Sequence, residues 1–237
     1  MVSGWAALNS IWTKSEPFMK GEYPPNRSSE KSEFAVQLGT VTGGRLVFMS
    51  ATARVVILAD PLKDELARAS FEHILPRLRV EEGAITIQYP DLLSHSLLVN
   101  SHRPLGQIAL NSSIPWEIEF RGCISNLYAD LGKLVLRSLD LLGDVSHMKL
   151  LLPKPAETSF IYIPEGINHS LIRIPPKVGI RVQICGRPRH LLFDEQPIDT
   201  MGGDLQIENS DFKSANSRYD IYIAGGANHL IIEQQAR

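Results

Sequence analysis

The chain is poor in cysteine, in excess charge and in long apolar runs. Two cysteines among 237 residues cannot staple a small secreted scaffold. With 24 Lys+Arg against 26 Asp+Glu the net charge is −2, which argues against nucleic acid held by counterion release. No apolar run approaches the roughly 20 residues that cross a bilayer, so no transmembrane segment is expected. The opening MVSGWAALNSIW has no Lys or Arg before its apolar residues and makes a poor signal peptide. The expected location is the cytoplasm, with peripheral membrane contact as the alternative. G-x-S-x-G, P-loop and H-E-x-x-H patterns are all missing, and the carboxylates do not pair convincingly. No catalytic residue, no metal ligand set and no cofactor is therefore expected.

What is present is a globular composition, 43% hydrophobic and 21% charged. Residues 1–33 stand apart from the rest. Trp5, Leu8, Ile11 and Trp12 fall near one face of a short helix, with Ser3 as N-cap candidate, and GEYPPNRSSEKSE follows as a linker. Exposed tryptophan needs a cover, so this helix either folds back over the main domain or docks a partner.

Residues 34–237 read as strands. LVFM, ARVVILA, LRVEEGAITIQY, GQIAL and PWEIEF alternate or run apolar and are rich in β-formers. PLKDELARASFEHIL (61–75) is the exception, with at most a helical turn near 61–66.

Five segments align without gaps: RGCISNLYADL (121–131), LGDVSHMKLLL (142–152), PEGINHSLIRI (164–174), CGRPRHLLFDE (185–195) and AGGANHLIIEQ (224–234). The shared frame is Gly, a variable residue, a small or apolar residue, Ser or Asn, His or Asn, then alternating apolar residues. The Asn/His position falls at Asn126, His147, His169, His190 and His229, in steps of 21, 22, 21 and 39. MSATARVVILA (49–59) is a weaker copy with Arg54 there. One such repeat cannot bury its own apolar face, whereas stacked repeats make a continuous core. The fold expected is all-β: a single-stranded β-helix (β-solenoid) of about 20–22 residues per coil, with the short N-terminal helical segment. A β-sandwich of hairpins is the alternative. Leu127, Ala129, Leu131, Met148, Leu150, Leu152, Ile172, Ile174, Leu191, Phe193, Leu230 and Ile232 should point inward, with Ser170 as an imperfection. Gly122, Gly143, Gly186 and Gly225 should supply the unusual backbone angles of coil corners, and Glu165 marks a corner that differs.

The stretch NSSIPWEIEFRGCISNLYADLGKLVLRSLDLLGDVSHMKLLLP (111–153) and the close YDIYIAGGANHLII (219–232) resemble bacterial domains with repeated G-G-A-S-[NR]-[LV] turns. These are the "putative adhesin" or toastrack domains, similar to the C-terminal region of LiaF-type cell-envelope stress proteins. The resemblance runs from about residue 45 to 237 and implies a single-handed β-helical fold. The chain departs from the pattern at Cys123, Asp144, Arg187 and Pro188, where small residues are usual, and lacks the transmembrane helices many relatives carry.

On stacked coils the polar ladder Asn126, His147, His169, His190 and His229 should form a column. A column offers a line of ligands, not a tetrahedron, so a surface ladder bonded to corner backbone is expected rather than a metal site. Cys123 and Cys185 should lie on the order of 14 Å apart at the strand spacing, beyond a disulfide, and act as small buried residues. Lys177, Arg181, Arg187 and Arg189 make KVGIRVQICGRPRH locally basic. The function expected is a non-catalytic structural or protein-interaction module, with a protein partner or self-association, in bacterial stress signalling or self-assembly. The N-terminal segment and the C-terminal IIEQQAR are candidate caps or assembly contacts. The alternatives are a β-helical enzyme acting on a glycan and a trans-acting, membrane-associated stress sensor that docks through Trp5, Leu8, Ile11 and Trp12.

Overall fold

The computed structural model describes residues 31–72, 75–90, 105–186, 188–198 and 203–235. The N-terminal helix expected around Trp5 to Trp12 lies outside them. In chain order the strands are β1 (Lys31–Gln37), β2 (Gly44–Phe48), β3 (Thr52–Asp60), β4 (Glu65–Glu72), β5 (Arg77–Glu81), β6 (Ala84–Gln88) and β7 (Leu105–Asn111). Next come β8 (Pro115–Phe120), β9 (Ile124–Asp130), β10 (Val135–Leu141), β11 (Val145–Leu151), β12 (Thr158–Ile163) and β13 (Ile167–Ile174). The last are β14 (Gly179–Ile184), β15 (Arg189–Phe193), β16 (Gln196–Ile198), β17 (Leu205–Glu208), β18 (Arg218–Ile223) and β19 (Ala227–Gln234). The described residues are all-β, with no helix among them. The helical turn expected near 61–66 is instead a bend at 63–64 leading into β4. There β1 and β7 bond both edges of the extended chain, and tertiary pairing overrides local propensity.

Two mixed sheets share one core. The ten-stranded sheet runs β1-β4-β7-β3-β9-β11-β13-β19-β15-β16, and the nine-stranded sheet runs β17-β14-β18-β12-β10-β8-β2-β6-β5. Seven times a strand of the nine-stranded sheet is followed in sequence by a strand of the other: β2–β3, β6–β7, β8–β9, β10–β11, β12–β13, β14–β15 and β18–β19. Each such pair is one tier, and neighbouring tiers pair in parallel. Register makes the core continuous. Ile85, Leu46, Ile118, Leu139, Ile161, Ile221 and Val182 form one inward column through all seven tiers. Ile108, Ile57, Ala129, Leu150, Ile172, Ile232 and Phe193 form its counterpart in the other sheet. All fourteen are buried. So are the twelve residues of the repeat frame expected to face inward.

The tiers are not stacked in chain order. The last, β18–β19, slots between β12–β13 and β14–β15, and β6–β7 lies outside β2–β3. The C-terminal IIEQ is therefore an interior part of the ten-stranded sheet and not a cap. The capping is done by other strands. The edge strands β1, β16, β17 and β5 all pair antiparallel with their neighbours, which ends the parallel run at every edge. β16 and β17 have three and four residues, and β5 carries Arg77, Arg79 and Glu81. Short and charged edges resist further strand addition.

Buried polar contacts hold the tiers where the apolar rule breaks. Ser170, in its inward slot, accepts the Met148 N–H (3.2 Å) and donates to the Asn168 carbonyl (3.0 Å). Asn111 is fully buried; its amide donates to the Leu62 and Glu65 carbonyls (2.7 Å each), and its Oδ1 accepts from Ser113 N–H (2.9 Å). The buried Trp116 indole N–H donates to the Asn111 carbonyl at 2.8 Å.

Candidate polar ladder on one flank

In each tier from β8–β9 to β18–β19 the strand of the ten-stranded sheet carries two consecutive outward residues before its alternation resumes. In β13 the sequence Ile-Asn-His-Ser-Leu-Ile-Arg-Ile reads buried, intermediate, exposed, buried, and then alternates. The extra residue is a bulge, and the backbone shows where it sits. Arg54, Asn126, His147, His169, His190 and His229 have φ of 55°, 64°, 56°, 48°, 53° and 50°. This is the left-handed region, where Asn and His are enriched among non-glycine residues. The unusual backbone angles therefore belong to the ladder position. Of the corner glycines expected to supply them, only Gly186 (φ 92°) does.

Gly122, Gly143 and Gly225 serve close approach instead. A Cβ on Gly143 would stand 2.6 Å from Cys123 N, and one on Gly122 would overlap the backbone of Ser50 and Ala51. A Cβ on Gly225 would overlap the Glu165 carbonyl, which accounts for the different corner at Glu165. Tight corners set the tiers at one height, and the stacked bulges then align their side chains.

The alignment is continuous. His147 and His169 stack with centroids 5.3 Å apart, His169 and His229 at 4.5 Å, and His229 and His190 at 4.4 Å, with interplanar angles of 8°, 8° and 25°. Asn126 sits beside His147 and Arg54 beside Asn126 by register. The four imidazoles are exposed. One position earlier, Asn228 donates its side-chain amide to Asn168 Oδ1 at 2.9 Å, and Ser146 Oγ donates to the Ile124 carbonyl at 3.3 Å. One position past the inward residue, Lys149, Leu171, Ile231 and Leu192 form a half-buried row parallel to the column. Among the described residues, no group of three or more His, Cys, Asp or Glu converges to hold a metal ion.

A solved structure from Clostridium sporogenes, described as a putative cell adhesion protein, has this fold. It matches at a TM-score of 0.69 and 17% identity, over 87% of this chain and 100% of its own. A second, described as a putative adhesin from Parabacteroides merdae, aligns over 87% of this chain and 97% of its own with a TM-score of 0.26 and 6% identity. No family model matches the chain, and no curated relative does.

Among the described residues, the cysteines and the basic run do not come together. Cys123 is exposed and Cys185 intermediate, not buried, because both lie at corners between the sheets. The intercalated tier puts them four steps apart, on the order of 19 Å at the strand spacing. Cys185 Sγ instead lies 3.3 Å from the Tyr222 hydroxyl. The basic run is split: Arg181 in β14 pairs with Asp220 on one sheet, and Arg189 in β15 lies on the other. Arg187 lies outside the described residues. Sequence patterning also missed Glu119, which Arg121 and Arg45 grip at 2.6 and 2.7 Å, holding its carboxyl below the usual range.

The column makes stability depend on pH. Partial removal from water, then the charges of His190 and His169, lower the pKa of His229. The unfolded chain, with His near 6.5, then binds more protons in mild acid. Stability present above about pH 6.5 should fall as pH drops through the folded value, and level out below it. His229→Asn keeps a residue suited to positive φ and removes the titration. Urea midpoints measured from pH 7.5 to 5.5 should fall less steeply for this variant. Equal slopes would exclude the coupling.

Proposed function

We propose that the chain is a non-catalytic protein-interaction module, built as a β-solenoid of seven tiers, whose working surface is the flank bearing the imidazole column. The observation that carries the reading is continuity. Four exposed imidazoles touch ring to ring across four adjacent tiers, beside a half-buried row that includes Leu171, Ile231 and Leu192. A long, flat strip with an apolar margin suits a partner protein that runs along it. Four carboxylates of the sheets are held by arginines and so are not free to serve glycan hydrolysis: Glu119 by Arg121 and Arg45, Asp220 by Arg181, Glu233 by Arg173 and Glu65 by Arg68. The description of the Clostridium sporogenes protein as a putative adhesion protein points the same way. A place in envelope stress signalling rests on the family resemblance. Growth by tier-on-tier assembly is disfavoured by the short edge strands β16 and β17 and the charged β5.

A photo-crosslinking residue at Lys149 or Leu171 tests the surface, with one at Thr86 on the other sheet as control. Crosslinked partner is expected from the column flank, and its yield should drop at least tenfold when His147, His169, His190 and His229 are changed to Asn. Equal crosslinking from Thr86, or no loss in the fourfold variant, would overturn the assignment.

A further inference from the structure

At the end of the stack beyond β6–β7 the two sheets part. Between β1, β4 and β7 on one side and β5 and β6 on the other lies an apolar cavity of about 340 Å³, lined by Phe34, Val36, Ala69, Leu78, Ile85 and Ile108 among others. It is open to water on one side, and Val80 on its lining is 46% exposed. A dry cavity of about 150 Å³ holds a benzene ring, so this one has room for an indole and an aliphatic side chain together.

Its position relative to the chain selects the occupant. β1 is a wall of the cavity and begins at Lys31, so the 30 residues before it leave from that wall. They carry Trp5, Leu8, Ile11 and Trp12, with residues 13–30 between this cluster and β1. Eighteen residues reach up to about 60 Å when extended, far more than the distance back to the cavity requires. The Pro-Pro pair and the Ser-rich run within them suit a tether. The third tryptophan, Trp116, is buried in the core, and large aromatic side chains at the start of the chain are of the kind an apolar cavity covers.

We propose that the segment bearing Trp5, Leu8, Ile11 and Trp12 covers the open side of this end cavity of its own chain, one indole and one aliphatic side chain filling it and completing the core. The segment is then a built-in plug. A membrane or partner that captured it would have to draw it out and open the apolar end.

The test uses the full chain with Cys123→Ser and Cys185→Ser. Leu8→Cys is combined with Val80→Cys at the cavity, or with the exposed Val135→Cys on β10 as control. A short bis-maleimide should close an intramolecular crosslink to position 80 at least tenfold faster than to position 135. Acrylamide should quench the Trp5 and Trp12 emission of the uncrosslinked chain, taken as the difference from the same chain with Trp5→Phe and Trp12→Phe so that the buried Trp116 is subtracted, several-fold less than in a free peptide of residues 1–16. Equal rates with peptide-like quenching would overturn the proposal. So would a crosslinked dimer, which makes a second copy the occupant, or faster capture of position 80 by Leu97→Cys, which gives the cavity to residues 91–104.

Discussion

Gly225→Ala should be among the most destabilising single changes in the chain, at about 3–5 kcal/mol, the range of the severest packing defects. The new methyl group would occupy the space of the Glu165 carbonyl in the adjoining tier. A flexible side chain could swing away from it. A backbone carbonyl at a corner cannot, because the corners are already close (a Cβ on the neighbouring Gly166 would stand 3.2 Å from the Gly225 carbonyl), and the Ala224 N–H is tied to the Ile163 carbonyl at 2.9 Å. The tier must lift away from its neighbour, which breaks parallel pairing on both sheets at once. Gly39→Ala is the control. Its φ of 56° makes a side chain costly, by about 1–2 kcal/mol, yet nothing stands within 4 Å of the added carbon. Urea denaturation should show a loss for Gly225→Ala at least twice that for Gly39→Ala. Equal losses would mean that corner glycines are kept for backbone freedom, as the sequence alone implies, and not for clearance.

That contrast shows what a repeat frame can and cannot reveal. Inward positions were legible because alternation needs only a strand and one buried face. The ladder was legible because identical slots in stacked units must align. What the slots do was not. Two polar residues in a row, such as Asn168-His169, look like a loop entrance, and nothing in the one-letter code marks the second as left-handed. Only the recurrence of Asn or His, rather than Ser, Thr or Lys, at that slot across the repeats carries a trace of it. Tier order was hidden for a different reason. Periodicity reports how often a unit recurs and says nothing of which unit pairs with which. The 39-residue step to His229 showed that something intervened; it could not show that β18–β19 returns to a place inside the stack. The early tiers were dimmer still. β7 offers GQIAL without the polar pair, and the buried Asn111–Trp116 contact that anchors the start of β8 has no repeat counterpart to betray it.

Intercalation carries the second large expectation. β14 pairs with β18 and β17, and β15 with β19 and β16, so their parallel partners all lie in the last tier. A chain ending at Glu208 would keep the repeat 185–195 intact in sequence yet leave β14 and β15 without a neighbour linking them to β12 and β13. Amide exchange over 179–193 should then rise to near that of an unfolded peptide, while β9, β11 and β13 keep their protection. The loss should be several kcal/mol for the affected amides, because protection reports the local opening free energy. The physical reason is that a single tier cannot bury its own apolar face. Closure onto the vacated site would bring His190 directly against His169 and restore protection at 179–193. That outcome would show that tier order is set by availability and not by matching corners. Persistence of the open form would instead tie the order to the fit between Gly225 and Glu165. The corner geometry favours the open form, since the Glu165 carbonyl sits where a Cβ on Gly225 would be, and the fourth repeat would bring Gly186 there instead, whose φ of 92° turns the chain differently.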